Sequence, residues 1–178
     1  MAKVTPKRKA EHRAAILDAA ARMLREQGPD GLGVAAVMQA AGMTHGAFYG
    51  HFPSKTALVA EALRHAMQPA VRRIGRKAQA GRLDAFAEGY LSEAHLNDPA
   101  GGCPLAALAT EIPRQPAQVR AAYAEALRAF LDAAGGDRRE VAAEFSRLLG
   151  ALVLARAAAP ADPALAAEIL AAARPAPG

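Results

Sequence analysis

Apolar side chains recur along most of this chain at the three- and four-residue spacing of an α-helix. The clearest example is the set Val119, Ala122, Tyr123, Ala126, Leu127 and Phe130. Glycine and proline cluster mostly between such segments, and no stretch shows the apolar-polar alternation of a half-buried strand. The chain is therefore predicted to be all-α, with short connections between its helices.

About nine helices are expected from this spacing and from the residues that begin and end helices. Their apolar stripes lie within residues 16–24, 34–41, 44–51, 55–66, 83–94, 104–113, 119–130, 141–154 and 165–170. Ser54 and Asp162 are the expected N-caps of the fourth and ninth helices. Pro69 should kink or restart the fourth helix, because an internal proline removes one backbone hydrogen bond. The last five residues, 174–178, are expected to fray.

Basic residues are concentrated in the first half of the chain. Residues 1–79 hold 13 Lys and Arg against 5 Asp and Glu, a net charge of +8, whereas residues 80–178 have a net charge of −3. This excess favours a polyanionic partner, because neutralising phosphates releases counterions, although a solubilising basic segment explains it equally well. The strongest basic run comprises Arg72, Arg73, Arg76 and Lys77. It is interpreted as a solvated face or a complement to a helix C-terminus, and no site is assigned to it.

Composition and length limit the compartment and the organisation of the chain. The 178 residues include one Cys and no long apolar run without a charge, so neither an internal disulfide nor a membrane span is expected. The N-terminus lacks the apolar stretch of a signal peptide. We therefore predict a cytoplasmic protein without membrane contact. A small head is expected at residues 1–54, with its first helix ending at Gly28-Pro29, and a helical body at residues 55–178.

Residues 34–58 contain the most specific pattern in the chain. Two short helices joined by a glycine turn are typical of a helix-turn-helix, in which the second helix enters the major groove of DNA. Gly42 supplies the turn, because glycine tolerates a positive φ. Thr44 is placed to cap the first backbone N–H groups of the second helix.

The second short helix is expected to have one wet face and one anchoring face. His45, Gly46 and Tyr49 lie one turn apart on the first, whereas Phe48 and Phe52 point the other way. Gly46 allows the backbone to approach DNA closely. Tyr49 offers its hydroxyl to a phosphate, and His45 is interpreted as a moderate reader of bases or phosphates.

Two further residues belong to the predicted DNA-binding set. Lys55 stands in the first turn of the fourth helix, where an ammonium group and a helix N-terminus can bind the same phosphate. His51 either packs on the first helix or reaches a phosphate, and the sequence favours neither role.

These residues resemble the signature of the Tet repressor family. The matching string is Ala-Ala-Gly at 40–42, Met-Thr at 43–44, Gly46, Phe48-Tyr49, His51-Phe52 and Ser54-Lys55-Thr56-Ala57-Leu58, and with the first helix the resemblance covers about residues 10–65. It implies a homodimeric regulator, usually a repressor, that binds double-stranded operator DNA and whose body binds a small effector. Leu32-Gly33 stand where the family often has a backbone-contacting Thr. His45 stands where Lys, Arg or another polar residue is common.

The body offers candidates for an effector pocket and for a dimer interface. The pocket candidates are Phe86, Tyr90, Cys103, Thr110 and Tyr123. Such residues are more often core than ligand-binding, although helical bundles do place ligands between their helices. The interface candidates are Phe145, Leu149, Leu152, Leu165 and Ile169. They belong to two broad apolar helices near the C-terminus that a short chain cannot cover alone.

Cys103 leaves alternative functions open. It is interpreted as an inert packing residue or as a thiol that senses electrophiles or oxidants. An enzyme that uses Cys103 with His95 or His51 is disfavoured, because the chain has no nucleophile signature, no phosphate-binding glycine loop and no metal-spaced cluster. No cofactor or metal ion is expected. A helical interaction module without DNA binding is disfavoured by the intact polar residues at 44–49 and Lys55.

Overall fold

The structure, a computed structural model, describes residues 5–174. Over this range the protein has no strand, which confirms the predicted all-α fold. The nine α-helices found there are α1 (Pro6–Gly31), α2 (Val34–Ala40), α3 (Lys55–Gln79), α4 (Leu83–Tyr90), α5 (Glu93–Asn97), α6 (Pro104–Leu108), α7 (Ala117–Ala134), α8 (Arg138–Ala158) and α9 (Pro163–Ala172). Two 3-10 helices, His45–Gly50 and Ile112–Arg114, complete the elements of this range. Most of the expected frayed end, residues 175–178, lies outside it.

Among residues 5–174, no helix is both long and apolar enough to cross a membrane.

The first three helical elements form a small head around a buried apolar core. α1 packs against α2 and along α3, and the 3-10 helix His45–Gly50 packs against α2. Ile16, Leu24, Val37 and Phe48 are buried in this core. Because each short helix turns one stripe inward, its opposite stripe stays in solvent.

α1 bends at Gly28, where the backbone has φ 71° and ψ 176°. This conformation is accessible almost only to glycine. Pro29 follows, and one further helical turn ends at Gly31. The Leu32 N–H closes that turn by donating to the Gly28 carbonyl oxygen at 3.2 Å. The predicted helix end at Gly28-Pro29 is therefore the end of the straight part of α1.

α3 is the central helix of the molecule, packing along α1 in the head and along α7 in the body. Ser54 caps it as predicted, since the Ser54 Oγ accepts the Ala57 N–H at 3.1 Å. The predicted restart at Pro69 is wrong, because α3 runs without a break from Lys55 to Gln79, whereas the alternative of a kink stays a prediction. Pro69 is exposed, so the His65 carbonyl oxygen, which an N–H at this position would have bonded, is free to accept from water.

The predicted fifth helix is two helices, α4 and α5. The chain leaves the helix after Tyr90, and Ser92 caps α5 by accepting the His95 N–H on its Oγ at 3.2 Å. The Ser92 hydroxyl also donates to the Gly89 carbonyl oxygen at 2.9 Å. These local hydrogen bonds compete with the helix ladder and end it, although the apolar spacing continues past them.

The predicted sixth helix is also divided, into α6 and the 3-10 helix Ile112–Arg114. Pro113 has no N–H, so it cannot continue an α-helical ladder. The short elements α5 and α6 and the loops around them form the wall of the body that faces α3 and α8.

Capping residues mark the end of α7 and the starts of α8 and α9. α7 ends at Gly135, which has φ 67°. Asp137 caps α8 by accepting the N–H groups of Arg139 and Glu140. Asp162 caps α9 by accepting the Leu165 N–H at 3.0 Å, as predicted. α9 packs back against α8.

Candidate nucleic-acid interface

α2 and the 3-10 helix His45–Gly50 are joined by a tight turn at Gly42, which has φ 71°. The Gly42 N–H donates to the Gln39 carbonyl oxygen at 3.0 Å, and the Met43 N–H donates to the Met38 carbonyl oxygen at 2.8 Å. Thr44 occupies the N-cap position, but its side chain accepts no backbone hydrogen bond, so the predicted cap is wrong. A 3-10 helix of one or two turns leaves few N–H groups for such a cap to satisfy.

The 3-10 helix has the two faces that its sequence predicts. Thr44, His45, Gly46 and Tyr49 are all exposed. Tyr49 has 73% of its surface in solvent, the largest exposure among the large apolar or aromatic side chains of residues 5–174. A Cβ at Gly46 would meet no atom within 4 Å, so the backbone there is open to an approaching surface.

The opposite face anchors the helix in the head. Phe48 and Phe52 are buried, with ring centroids 6.0 Å apart in a stacked arrangement. Tyr49 touches Phe48 edge to face at 5.1 Å. The ring of Tyr49 is therefore supported from behind while its hydroxyl points away from the core.

His51 lies at the far end of this helix and faces α1. Its ring is half-buried, and Nδ1 is buried without a hydrogen-bond partner. Burial lowers the pKa of His51, and the neighbouring basic residues Lys9, His12 and Arg13 lower it further. A neutral, inward-facing imidazole is poorly suited to bind a phosphate.

Arg13 is a positioning residue of the head that the sequence did not reveal. Its guanidinium donates to the His51 carbonyl oxygen, pairs with Glu61 of α3 and lies 4.3 Å from the centroid of the Phe52 ring. It thereby ties the 3-10 helix to both α1 and α3. The partners are 38 to 48 residues away in sequence, so no local pattern could indicate them.

Lys55 is exposed in the first turn of α3, as expected, and it also has an intramolecular partner. Its Nζ donates to the Asp30 carbonyl oxygen at 3.0 Å, in the last turn of α1. Since the ammonium group carries three hydrogens, one such bond leaves two donors for a phosphate.

The basic residues of the first half do not all lie near this helix. Lys7, Arg8 and Lys9 are exposed in the first turn of α1, which belongs to the head. The basic run that ends at Lys77 begins 17 residues beyond Lys55, which places it about 25 Å further along α3. The net charge of +8 therefore describes two separate basic regions, and only one of them is in the head.

The body contains a cavity of about 410 Å³ between α3, α4 and the loop that follows α5. Phe86 and Tyr90 line it, as their pocket assignment expects. Cys103 lines a smaller cavity of about 210 Å³ that shares Arg73, Gly101 and Gly102 with the first.

The other two pocket candidates lie elsewhere. Thr110 is exposed and lines neither cavity, because it follows the end of α6 on the surface. Tyr123 is half-buried and lines neither cavity. Its hydroxyl donates to the Leu105 carbonyl oxygen at 2.9 Å. Burial raises the pKa of Tyr123 to about 12. We therefore correct the expectation that the five candidates share one pocket.

A third cavity, of about 490 Å³, lies on the other side of Phe86. Phe130 and Phe145 line it with their rings 4.5 Å apart. Phe86 is 5.8 Å from Phe130 and contributes to both larger cavities. The sequence assigned Phe86 to a pocket and Phe145 to an interface, and it did not indicate that one ring borders two cavities.

The proposed interface residues divide between the core and the surface. Leu152 is 0% exposed and Phe145 is 6% exposed, so both belong to the core of the protomer itself and their assignment to a dimer interface is wrong. Leu149 and Ile169 are half-buried, and Leu165 is exposed. α8 is apolar on more than one stripe, and the sequence could not distinguish its inward stripe from its outward one.

Leu154 is the exposed apolar residue that the sequence reading missed. It has 60% of its surface in solvent and stands one turn from Gly150 and Ala157 on the outer stripe of α8. A Cβ at Gly150 would meet no atom within 4 Å, so this stripe is open along its length.

Cys103 is buried at the start of α6 and is fixed by its backbone. Its N–H donates to the His95 Nε2 at 3.0 Å, and the His95 Nδ1 in turn meets the Tyr90 carbonyl oxygen at 2.7 Å. The Tyr90 hydroxyl is buried without a hydrogen-bond partner, and burial together with the neighbouring thiol raises its pKa. In the described part of the chain, no three His, Cys, Asp or Glu residues are arranged to hold a metal ion.

A short helix with one anchored and one exposed polar face, preceded by a glycine turn and followed by a helical body, defines a helix-turn-helix regulator. Two family models match the chain and together cover more than half of it. Residues 16–62 match bacterial regulatory proteins of the tetR family, and residues 79–140 match the C-terminal domain that is described as tetracyclin repressor-like. The chain belongs to the TetR family and is a DNA-binding transcriptional regulator.

Solved structures share the whole fold. NemR of E. coli in its reduced form is 19% identical over 93% of this chain and 99% of its own, with a TM-score of 0.75. A TetR-family regulator from Agrobacterium tumefaciens is 23% identical over 92% and 96%, with a TM-score of 0.71. The multidrug binding protein EbrR, complexed with imidazole, is 25% identical over 93% and 96%, with a TM-score of 0.63. No curated protein matches the chain significantly.

Proposed function

We propose that the protein is a homodimeric repressor that binds a palindromic operator through the exposed face of the 3-10 helix His45–Gly50 and is released by a small effector in the body. The observation that carries the DNA-binding part is the division of this helix into two faces. Thr44, His45, Gly46 and Tyr49 are exposed, whereas Phe48 is buried. An anchored helix with a polar outer face has the form that enters a major groove.

The proposed contacts follow from the position of each group. Tyr49 donates its hydroxyl to a phosphate, and Lys55 with the N-terminus of α3 binds a second phosphate. His45 and Thr44 face the base edges, and Gly46 brings the backbone close. His51 holds the 3-10 helix against α1 and makes no phosphate contact, because its ring faces inward.

Binding to genomic fragments selected on the immobilised protein tests these contacts. Tyr49→Phe should weaken binding to all fragments about three- to tenfold, since one phosphate hydrogen bond is lost. Lys55→Ala should reduce the slope of log affinity against log salt by about one. His45→Ala should change the preference between fragments. Fluorescence anisotropy over a range of salt concentrations measures all three effects.

Two matched controls come from the body. Tyr123→Phe removes the same hydroxyl from a side chain that bonds the Leu105 carbonyl oxygen, and Arg76→Ala removes one cation from the far end of α3. Neither should change DNA affinity or its salt slope. If Tyr49→Phe and Lys55→Ala behave like these controls, the proposed interface is wrong.

The proposed dimer uses the outer surfaces of α8 and α9. Leu154 and Leu165 are exposed there, and Gly150 and Ala157 continue the apolar stripe on α8. A twofold axis through this surface repeats the DNA-binding helix in the partner. Its two copies should stand roughly 34–36 Å apart or at another whole-turn separation, and the operator should be a palindrome or nearly one.

The proposed effector site is the cavity of about 410 Å³ that Phe86 and Tyr90 line. Its volume lies within the range that small-molecule sites occupy. Because α3 forms one wall of the cavity and also packs in the head, a ligand that prefers one position of α3 changes the position of the head. Solved structures of the similar proteins include EbrR with imidazole.

The second candidate function is a response to electrophiles or oxidants through Cys103. One observation favours it: the buried thiol lines a cavity of about 210 Å³ together with Arg25 and Gly102. Cys103→Ser should abolish the effect of thiol reagents on operator affinity and leave the effect of a non-covalent ligand largely unchanged. A thiol that does not react in the native protein would leave Cys103 as a packing residue.

A further inference from the structure

The basic run on the second half of α3 has no function in the DNA contacts proposed above. Arg72, Arg73, Arg76 and Lys77 lie within six residues, and none of them forms an ion pair with any other residue of 5–174. Like charges one helical turn apart destabilise a helix. A position in the last turn of the helix offsets part of that cost for Arg76 and Lys77 only.

The structure divides the run into two pairs. Arg73 and Lys77, one helical turn apart, line the cavity of about 410 Å³. Arg72 and Arg76 are exposed on other sides of α3 and do not line it. Arg73 is exposed as well and Lys77 is half-buried, so the pairs differ in which cavity they border: Arg73 and Lys77 line this one, whereas Arg72 lines a different one beside Glu125.

The cavity has one acidic lining residue, Asp98, which forms no ion pair with Arg73 or Lys77 within residues 5–174. Asp98 is bound to the loop itself, because its Oδ1 accepts the Gly101 N–H at 2.8 Å. His95 uses both ring nitrogens, one toward the Tyr90 carbonyl oxygen and one accepting the Cys103 N–H. Burial lowers the pKa of His95, and the positive charges of Arg156 and Arg73 lower it further. The cavity wall near α3 is therefore cationic.

The wall opposite α3 is aromatic. The rings of Phe86 and Tyr90 are 5.6 Å apart, and both are nearly buried. Gly89 lies between them on α4, and a Cβ there would meet no atom within 4 Å. The cavity thus combines an apolar wall of two tilted aromatic rings with two cations that form no ion pair.

We propose that this cavity binds a small organic anion, with its carboxylate or phosphate group between Arg73 and Lys77 and its apolar part against Phe86 and Tyr90. The Arg73 guanidinium fits the planar oxygen pair of a carboxylate, and the Lys77 ammonium adds a second charge. The proposal rests on the proposed function, because it names the chemical class of the effector. Binding would relieve the repulsion on α3 and join that helix to α4.

Naphthalene derivatives of one size and different charge test the site. The full-length protein is titrated with naphthoate, naphthyl phosphate, the neutral naphthamide and the cationic naphthylmethylammonium ion, and binding is followed by calorimetry. One or both anions should bind with at least about tenfold higher affinity than the amide, and the ammonium ion should bind more weakly still. The comparison of naphthoate with naphthyl phosphate shows which anionic group fits better.

Paired variants locate the binding. Arg73→Gln with Lys77→Gln should weaken anion binding at least about tenfold, whereas Arg72→Gln with Arg76→Gln removes the same charge and should change it less than about twofold. Gly89→Leu fills the cavity and should abolish binding of every probe. It is expected to fold, because the position is helical and the space is open. Circular dichroism melting verifies that each variant is folded.

Four results would overturn the proposal. They are equal affinity for the amide and the anions, no saturable binding of either anion at low millimolar concentration, equal loss in both double variants, and full binding in Gly89→Leu.

Operator affinity is measured separately by anisotropy. Anion binding with the expected charge dependence but unchanged operator affinity supports the site and contradicts effector release. Loss of operator binding in Tyr49→Phe concerns only the DNA interface and leaves the calorimetric result unaffected.

Discussion

Gly28 lies against Glu111 of the body, where no side chain could be accommodated without a shift. A Cβ at this position would lie 2.2 Å from the Glu111 Oε2, and the φ of 71° with ψ of 176° disfavours any side chain. The carboxylate of Glu111 therefore occupies the space that a larger residue would need. Both the bend of α1 and the contact with the body depend on the absence of a side chain.

Gly28→Ala should lower the free energy of unfolding by about 1–3 kcal/mol from the backbone alone, with an additional loss from the displaced Glu111. In a Glu111→Ala background the additional loss should disappear and the backbone cost should remain. Urea unfolding at one fixed protein concentration measures both, since a dimer's stability depends on concentration. Gly46→Ala, where the added Cβ meets no atom, is the control and should change stability by less than about 0.5 kcal/mol.

His95 makes stability depend on pH. Its Nε2 accepts the Cys103 N–H at 3.0 Å. A proton on Nε2 would turn this acceptor into a donor that faces the Cys103 N–H, and the hydrogen bond would be lost. Burial lowers the pKa of His95 in the fold, and Arg156 and Arg73 act in the same direction, outweighing the hydrogen bond to the Tyr90 carbonyl oxygen and the charge of Asp98. Below about pH 6.5, the ordinary pKa of a histidine, His95 is therefore protonated to a greater extent in the unfolded chain than in the folded protein.

Stability should accordingly be at its plateau above about pH 6.5 and fall as the pH decreases from there toward the folded pKa of His95. His95→Gln keeps an acceptor and a donor in similar places but does not titrate, so its stability should fall less over the same pH interval. Chemical unfolding at several pH values tests this. Identical slopes in the two proteins would contradict the role of His95. Because His51 has a lowered pKa as well, part of the slope should remain in the variant.

At the scale of helices, the apolar spacing and the caps predicted most of the fold. α7, α8 and α9 lie where their stripes and the residues Gly135 and Asp162 place them, because each stripe packs on one neighbouring surface. The spacing failed where a local group competed with it. Ser92 starts a new helix by its own hydrogen bonds, and Pro113 tightens the chain into a 3-10 turn. Neither effect changes the apolar spacing, so spacing alone could not reveal it.

The exposed face that we propose for DNA binding was predictable because it is local in sequence. Its residues lie within one short segment, and the alternation of Phe48 and Phe52 with polar neighbours separates the two sides. The cavity was not predictable, since its cations and its rings come from α3 and α4 and face each other only after folding. A basic run at a helix end looks the same in sequence whether it faces solvent or a cavity.

Pro69 lies inside α3, where a proline is expected to destabilise the helix. α3 continues through it, although an interior proline costs a helix about 3 kcal/mol relative to alanine. Pro69→Ala should therefore raise the free energy of unfolding by about 1–3 kcal/mol, as read from urea unfolding. Pro163→Ala is the matched control, because Pro163 stands in the first turn of α9, where proline is favourable. A loss of stability in Pro69→Ala would show that the proline ring contributes packing that outweighs the missing hydrogen bond.

At the scale of the whole molecule, the proposed dimer can be tested at the exposed apolar residues of α8 and α9. Leu152 and Phe145 are buried within the protomer, so a charge at either position would disrupt the core and could not report on a dimer. Leu154→Glu with Leu165→Glu places charges on exposed positions of α8 and α9 instead. This variant should be folded and monomeric at low micromolar concentration.

Sedimentation velocity measures the mass, and circular dichroism shows whether the fold is kept. The matched control is Leu83→Glu, which changes an exposed leucine of α4 and should leave the dimer intact. A double variant that remains dimeric would rule out the α8 and α9 surface. A monomer should also bind a single half-site more weakly than the dimer binds the palindrome, because the two heads no longer act together.

The head and the body are joined by α3 and by direct contacts of α1 with the body. The Gln115 Nε2 donates to the Asp30 Oδ1 at 3.2 Å, and the Arg25 guanidinium donates to the Ala100 carbonyl oxygen. Gln115 is the one buried polar or charged residue of the described range. These contacts connect the bend of α1 with the loops on either side of α6. A change at the cavities therefore has a second route to the DNA-binding helix.

This route predicts that operator DNA alters the reactivity of Cys103, which is the only cysteine in the chain and lines the cavity beside Arg25. Coupling between two binding sites is reciprocal. If a ligand in the cavities of the body weakens operator binding, operator binding must in turn disfavour the conformation in which the cavity is open. Labelling of Cys103 by a chromogenic disulfide should slow when the selected operator is added and not when a scrambled duplex is added. In Gln115→Ala the slowing should be reduced, whereas Gln118→Ala, an exposed change on α7, should behave like the wild type. Equal labelling rates with operator and scrambled duplex in the wild type would contradict the coupling, and equal slowing in both glutamine variants would show that α3 alone transmits it.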